Sequence, residues 1–296
     1  MNLCKSTKLK ELAEYYLTNV IKGNYTDSTY KSYKARLDNH IIPTLGDMRV
    51  KDLNKLDVQN LIFNLSNQKT PVSANTIRLV KSILNRILDF AVDVEIIDKN
   101  VSDRVILPKL EKYEPKIYTK KEINKLLKTA RGTVLYIPIL LAVKVGLRRS
   151  EILALRWRDL DLQQGSVVIQ KTLSGRSFSH PKTSHSHRHL KLPDSVVIAL
   201  QTHQQDKIFV VSKEDGSPYN PSYISRAFNE FLHVNNLPII RFHDLRHTYS
   251  THAHNDGMPI KNLSLSLGHI SAATTLDNYV NIQDKYTEIT GRNLYV

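Results

Sequence analysis

The sequence predicts a mainly α fold with a small antiparallel β-sheet, divided over two domains. Three observations carry this. Apolar residues recur at helical spacing along most of the chain. Only residues 166–171 (SVVIQK) and 187–192 (HRHLKL) read as short strands, joined by a polar segment with Gly175 and Pro181. Residues 103–118 carry Pro108, Pro115 and charges without period, as a linker does. A length of 296 residues suits two domains. The expected division is a helical domain over 1–105, a linker over 106–118, and a mixed domain over 119–296 that ends in a short tail.

In the first half, 8–22 and 27–39 have helical patterning, and Asp27 or Ser28 offers a side-chain oxygen to the free amides of the second helix. Pro43 and Gly46 then break the pattern. Residues 56–66 form a third helix. Residues 73–94 form a fourth, in which Ile77, Val80, Leu84, Ile87, Leu88 and Ala91 share one face. Arg78, Lys81 and Asn85 fall on another face, which suits either DNA or a solvated surface.

The second half opens on Thr119 and Glu122, spaced as a capping box. A buried helix follows over 133–145, where Pro138 marks a start or a kink. Past the strands, Asp194 caps a helix over 195–204, and Asn220-Pro221 opens another because Pro suits the first helical position. Helices over 243–255, 259–266 and 271–280 complete the chain.

Lys and Arg number 42 against 28 Asp and Glu, a formal charge of +14, and both halves are basic. A polyanion such as nucleic acid is the expected partner, against the plainer alternative of a generic basic protein. A single Cys, Cys4, excludes an internal disulfide framework and a cysteine-based zinc cluster. No run approaches the roughly 18 apolar residues of a membrane span, and the N-terminus lacks a signal-peptide core. The expected setting is cytoplasmic, with no membrane partner.

Three segments carry candidate chemistry: Gly146 to Glu151 with Arg148, His243 to His247 with Arg246, and Leu267 to His269 followed by Tyr279. Lys182 lies between the first two, beside the strand pair. Arg148 opens an apolar helix, and Glu151 one turn on can pair with it. His243 and Arg246 are three apart on one helix and can donate to one anion. HDLRH lacks the glutamate of a zinc-protease helix and puts a cation between the two imidazoles, so no metal is expected there. His185, His187 and His189 alternate along a basic strand without a carboxylate, which favours phosphate contact or exposure over a metal. The chain has 14 Tyr, so composition alone does not select Tyr279.

Taken together, the segments resemble the tyrosine recombinases, or phage-type integrases. GLRRSEILALRW resembles the box with the first catalytic arginine, Arg148; HDLRHTYST the His-x-x-Arg box, His243 and Arg246; LSLGHISAATTLDNYVN the last histidine and the nucleophile, His269 and Tyr279; and HPKTSHSHRHLKLP the hairpin with the catalytic lysine, Lys182. TYKSYKARLDNHIIPTLGDMRVKDL and SANTIRLVKSILNRILDFAVDVEII are similar, more loosely, to the core-binding domain. The resemblance implies a two-domain clamp, a helical core-binding domain plus a mixed α/β catalytic domain. Many relatives carry a further arm-binding module; 296 residues leave no room for one, so the chain reads as a two-domain recombinase or a fragment.

The implied activity is site-specific recombination through a 3′-phosphotyrosine intermediate, in integration or excision of a mobile element. Arg148, Arg246 and His269 would hold the nonbridging oxygens. His243 would be the general base for Tyr279, Lys182 the general acid with Lys171 as runner-up, and Glu151 a support for Arg148. No cofactor and no metal is called for. The partners implied are double-stranded DNA recombination sites, three further copies in a homotetramer on paired sites, and accessory DNA-bending or directionality proteins. In the cell the protein would associate with the nucleoid when bound to DNA. A type IB topoisomerase-like relaxing enzyme and a non-catalytic basic DNA-binding regulator are the competing readings.

Overall fold

A computed structural model describes residues 3–110, 113–174, 177–179 and 187–268. The chain divides into two compact units, Met1–Tyr113 and Glu114–Val296.

The first unit is helical. α1 (Leu9–Tyr16) runs into a π-helical turn, Leu17–Ile21. α2 (Asp27–Arg36) runs through a second such turn, Leu37–Ile41, into α3 (Ile42–Leu45). α4 (Lys55–Asn67) and α5 (Ala74–Asp93) complete it. The face of α5 predicted to be apolar is buried throughout, against Leu9, Leu12, Ile21, Leu37, Ile41 and Leu61. Each such aliphatic side chain contributes roughly 1.5–3 kcal/mol by leaving water.

Two expectations for this unit are corrected. Thr26, not Asp27 or Ser28, caps α2, its hydroxyl accepting from the Thr29 amide; Asp27 is the first helical residue and places its charge at the positive helix end. The helix also does not stop at Pro43. The π-helical turn Leu37–Ile41 runs on into α3, in which Pro43 is the second residue, and the helical run ends at Gly46.

In the second unit α6 (Lys120–Ala130) starts at the predicted capping box, with the Thr119 amide 2.7 Å from Glu122 Oε2. α7 (Tyr136–Val145) is buried on nearly all sides, with Pro138 in its first turn. α8 (Arg149–Ala154) follows after a short break. Strands β1 (Leu160–Asp161), β2 (Ser166–Ile169), β3 (Thr172–Ser174), β4 (Ser177–Ser179) and β5 (Arg188–Lys191) come next. They form an antiparallel sheet of order β1-β2-β5, with Ile169 opposite Arg188, and a separate hairpin, β3-β4. The predicted strand 166–171 therefore splits. The Gln170 side chain turns back to Asp159 Oδ1 at 2.7 Å, and Lys171 lies between β2 and β3.

α9 (Asp194–His203), α10 (Pro221–Val234), α11 (Asp244–Asn255) and α12 (Ile260–Leu267) complete the unit. Asp194 does not cap α9: Pro193 occupies the cap position and Asp194 is already helical. Asn220 does cap α10, and Pro221 is its first residue. Tyr118 is fastened to α11 at both backbone groups, its amide to Thr248 Oγ1 at 3.2 Å and its carbonyl to the His252 ring at 2.7 Å. The predicted helix 271–280 lies outside the described residues. No described helix is long and apolar enough to cross a membrane.

Candidate active site

The site is built where α7, α8, α11, α12 and β5 meet. Gly146 ends α7 in the left-handed region at φ 74°, and a Cβ there would run into the Tyr249 ring. That turn launches α8 with Arg148 at its cap position. The Arg148 amide donates to Glu151 Oε2 at 2.9 Å, and its Nη1 donates to Glu151 Oε1 at 2.8 Å. The pair expected from sequence is thus present, but Glu151 is only 1% exposed rather than on a surface.

A buried carboxylate requires more than one partner. The second is Arg188 on β5, 7% exposed, whose Nη1 and Nη2 reach Glu151 Oε1 and Oε2 at 3.0 and 2.8 Å. Burial alone would raise the Glu151 carboxyl, but Arg188 first, then Arg148 and Arg246, hold it down at about 2. It stays ionised at any working pH.

Arg246, from α11, is 4% exposed and donates Nη1 to the Gly146 carbonyl at 2.7 Å and Nη2 to the Leu267 carbonyl at 2.5 Å. Burial and then the neighbouring Arg148 lower its guanidinium to about 9, which leaves it charged at neutral pH. Arg148 Nη2 reaches the next carbonyl, Gly268, at 3.0 Å, and Arg188 Nε reaches the preceding one, Ser266, at 2.7 Å. Three successive carbonyls at the negative end of α12 therefore each accept from a different arginine. Three guanidinium charges surround one carboxylate, so the cluster keeps an excess of positive charge suited to a phosphate.

His243 precedes α11 and its ring meets that of His247 edge to face at 5.1 Å. Desolvation, then His247, Arg246 and Arg148, lower His243 to about 4. The residue is exposed to solvent, so these influences are partly screened; their direction makes the imidazole neutral at pH 7. Lys182, His269 and Tyr279, with His185, lie outside the described residues. His187, just before β5, and His189 on it are both exposed, with rings 5.9 Å apart. Among the described residues no group of three His, Cys, Asp or Glu side chains is placed to hold a metal ion.

In the first unit the polar face of α5 is engaged internally. Arg78 Nη2 donates to the Pro108 carbonyl at 3.2 Å, and Lys81 Nζ to Asn85 Oδ1 at 2.9 Å. Asn85 also donates to Asp89 at 2.7 Å and accepts from the Ser102 hydroxyl at 2.9 Å.

Sequence reasoning missed Arg188. Its signal was the alternation itself: between two outward histidines on a strand, the middle residue must face inward.

The phage integrase family profile matches residues 116–286, more than half of the chain, and the N-terminal SAM-like domain of phage integrases matches residues 8–66. The chain belongs to the phage integrase family. It is accordingly a tyrosine recombinase, an enzyme of site-specific recombination. It is 25% identical to a tyrosine recombinase XerC-like protein of Caldanaerobacter subterraneus subsp. tengcongensis, over 94% of this chain and 80% of that one. It is likewise 25% identical to the ICEBs1 integrase of Bacillus subtilis, over 93% and 79%. In fold it is similar to the Tn1549 transposon integrase, solved with a circular intermediate DNA (TM-score 0.81, 19% identity, 92% and 95% coverage). A lambda integrase fragment, solved as a dimer on a core site, is also similar (TM-score 0.75, 17% identity, 90% and 97% coverage).

Proposed function

We propose that this recombinase cleaves and rejoins double-stranded DNA at specific sites through a covalent 3′-phosphotyrosine bond to Tyr279. The observation that carries the reading is the convergence of Arg148 and Arg246 on the adjoining carbonyls of Gly268 and Leu267, in a cluster with surplus positive charge. A phosphodiester carries one negative charge, and the transition state gathers more on its nonbridging oxygens. Arg148 and Arg246 hold those oxygens, joined by His269. The Tyr279 oxygen attacks phosphorus, its proton passes to His243, and the bond to the 5′-oxygen breaks. Lys182 protonates that oxygen as it leaves, with Lys171 next in line. A neutral His243 at pH 7 supports its part as base. The covalent bond conserves phosphodiester energy, so a 5′-hydroxyl of a second duplex reverses the step and the strands exchange.

Integration or excision of a mobile element is the role in view, supported by the likeness to the ICEBs1 and Tn1549 integrases. A homotetramer on paired sites, supported by the lambda integrase tetramer on a Holliday junction, and accessory directionality proteins complete the assembly. The working place is the nucleoid. The test is a nicked suicide substrate carrying the attachment sequence. Wild-type protein should form a covalent DNA adduct, and Tyr279→Phe should not. An adduct with Tyr279→Phe would overturn the nucleophile. Relaxation of any plasmid without site preference would favour a topoisomerase instead.

A further inference from the structure

Glu151 stands between two arginines in different circumstances. Arg188 is buried and takes both carboxylate oxygens, at 3.0 and 2.8 Å. The Arg148 side chain, 30% exposed, reaches one of them, at 2.8 Å. If Glu151 had only Arg148, the carboxylate would claim the whole guanidinium as a bidentate pair, and the two charges would cancel. With Arg188 in place one negative charge is shared by two positive ones.

We propose that Arg188 is a positioning residue for DNA cleavage: it holds the charge of Glu151, so that Arg148 is oriented by that carboxylate yet keeps its own charge for the scissile phosphate. Arg188 also fixes the end of α12 through the Ser266 carbonyl at 2.7 Å, one residue before the carbonyl that Arg246 takes. It touches no substrate in this scheme. The inference rests on the reading of Arg148 as a phosphate ligand given above.

The test is single-turnover cleavage of the suicide substrate by full-length protein, with DNA affinity measured alongside. Arg188→Gln should cleave on the order of 30-fold slower, because a transition-state donor has been partly neutralised. Its DNA affinity should change less than about 3-fold, since no phosphate contact is removed. Arg188→Lys, which keeps the charge, should stay within about 5-fold of wild type; a role in packing alone would not sort the two variants by charge. Adding Glu151→Gln to Arg188→Gln should restore about 10-fold, because the uncompensated carboxylate is gone.

Wild-type cleavage by Arg188→Gln, or a folded double variant no faster than Arg188→Gln, overturns the proposal. If Arg188→Gln fails to fold, the double variant decides: cleavage within about 10-fold of wild type supports the proposal, and loss as deep as with Arg148→Ala overturns it. Wild-type protein that forms no adduct would instead sink the reading of the whole site.

Discussion

Arg246 donates to the carbonyl of Gly146 at 2.7 Å, which fastens α11 to the turn that launches α8. The two candidate phosphate-binding arginines are thus tied to each other through main chain, and their spacing depends on the shape of one glycine turn.

Gly146→Ala should therefore be costly. An Ala at φ 74° is strained, and its Cβ meets the Tyr249 ring. Left-handed strain and overpacking together predict a loss of about 2–5 kcal/mol. Gly257→Ala is the control, because φ there is also positive, at 94°, with nothing within 4 Å. Thermal unfolding of both should place Gly146→Ala well below Gly257→Ala; equal losses would remove the steric part of this account.

Arg148→Ala and Arg246→Ala should each lower single-turnover cleavage by about 100-fold or more, with only a small change in DNA affinity. Arg246→Ala should also lower stability, by about 1–3 kcal/mol for each carbonyl left without its donor. Chemical denaturation and adduct formation measured on the same preparations separate the two effects.

His243 in the free protein should titrate below the ordinary 6.5, towards about 4. A histidine lowered on folding binds its proton later than the unfolded chain does. The stability it contributes is therefore complete above about pH 6.5 and falls as pH drops from there towards 4. Proton NMR of the His243 ring measures the midpoint, and Arg148→Ala should move it upward by removing a positive neighbour. A midpoint at or above 6.5 would contradict the electrostatics described.

Glu151 loses its contribution in the same direction, but at lower pH. Its carboxyl is lowered to about 2, so its contribution is complete above the unfolded value near 4.3 and is lost as pH falls through 2. Glu151→Gln should lower stability at pH 7 by about 3–5 kcal/mol, because it leaves Arg188 buried without its anion. In denaturation curves the stability gap between variant and wild type should narrow from pH 7 to pH 3, because the unfolded carboxyl takes up its proton in that interval while the folded one stays ionised, and it should close only as pH falls through about 2.

Asn85→Ala should destabilise the first unit by about 1–3 kcal/mol, through loss of the bonds to Asp89 and Ser102. DNA affinity measured at a temperature where the variant stays folded then tells whether the polar face of α5 also meets a phosphate. A stability unchanged from wild type would deny the internal role.

The helices were largely legible because their apolar spacing is strict. Ile77, Val80, Leu84 and Ile87 needed no partner to declare a buried face. The cap at Thr26 was not legible, since Asp27 and Ser28 next to it carry equally good oxygens, and only backbone dihedrals choose among them. The split after Ile169 was hidden because it hinges on a side chain reaching Asp159 from eleven residues away. At the site, Arg148, His243 and Arg246 stood out through motif order. Arg188 did not, because its partner Glu151 is distant in sequence and had already been assigned to Arg148. The acceptors at Gly146, Leu267 and Gly268 were invisible in principle, since every residue has a carbonyl.

That last point bears on how such a protein tolerates genetic drift. The main-chain anchors for its three arginines are atoms that no codon change can delete, whereas the guanidinium groups that seek them are one substitution from loss. A screen of random variants for inactive protein should gather hits at positions 148, 188 and 246 and find few at Ser266, although Ser266 supplies the other end of a bond that Arg188 makes.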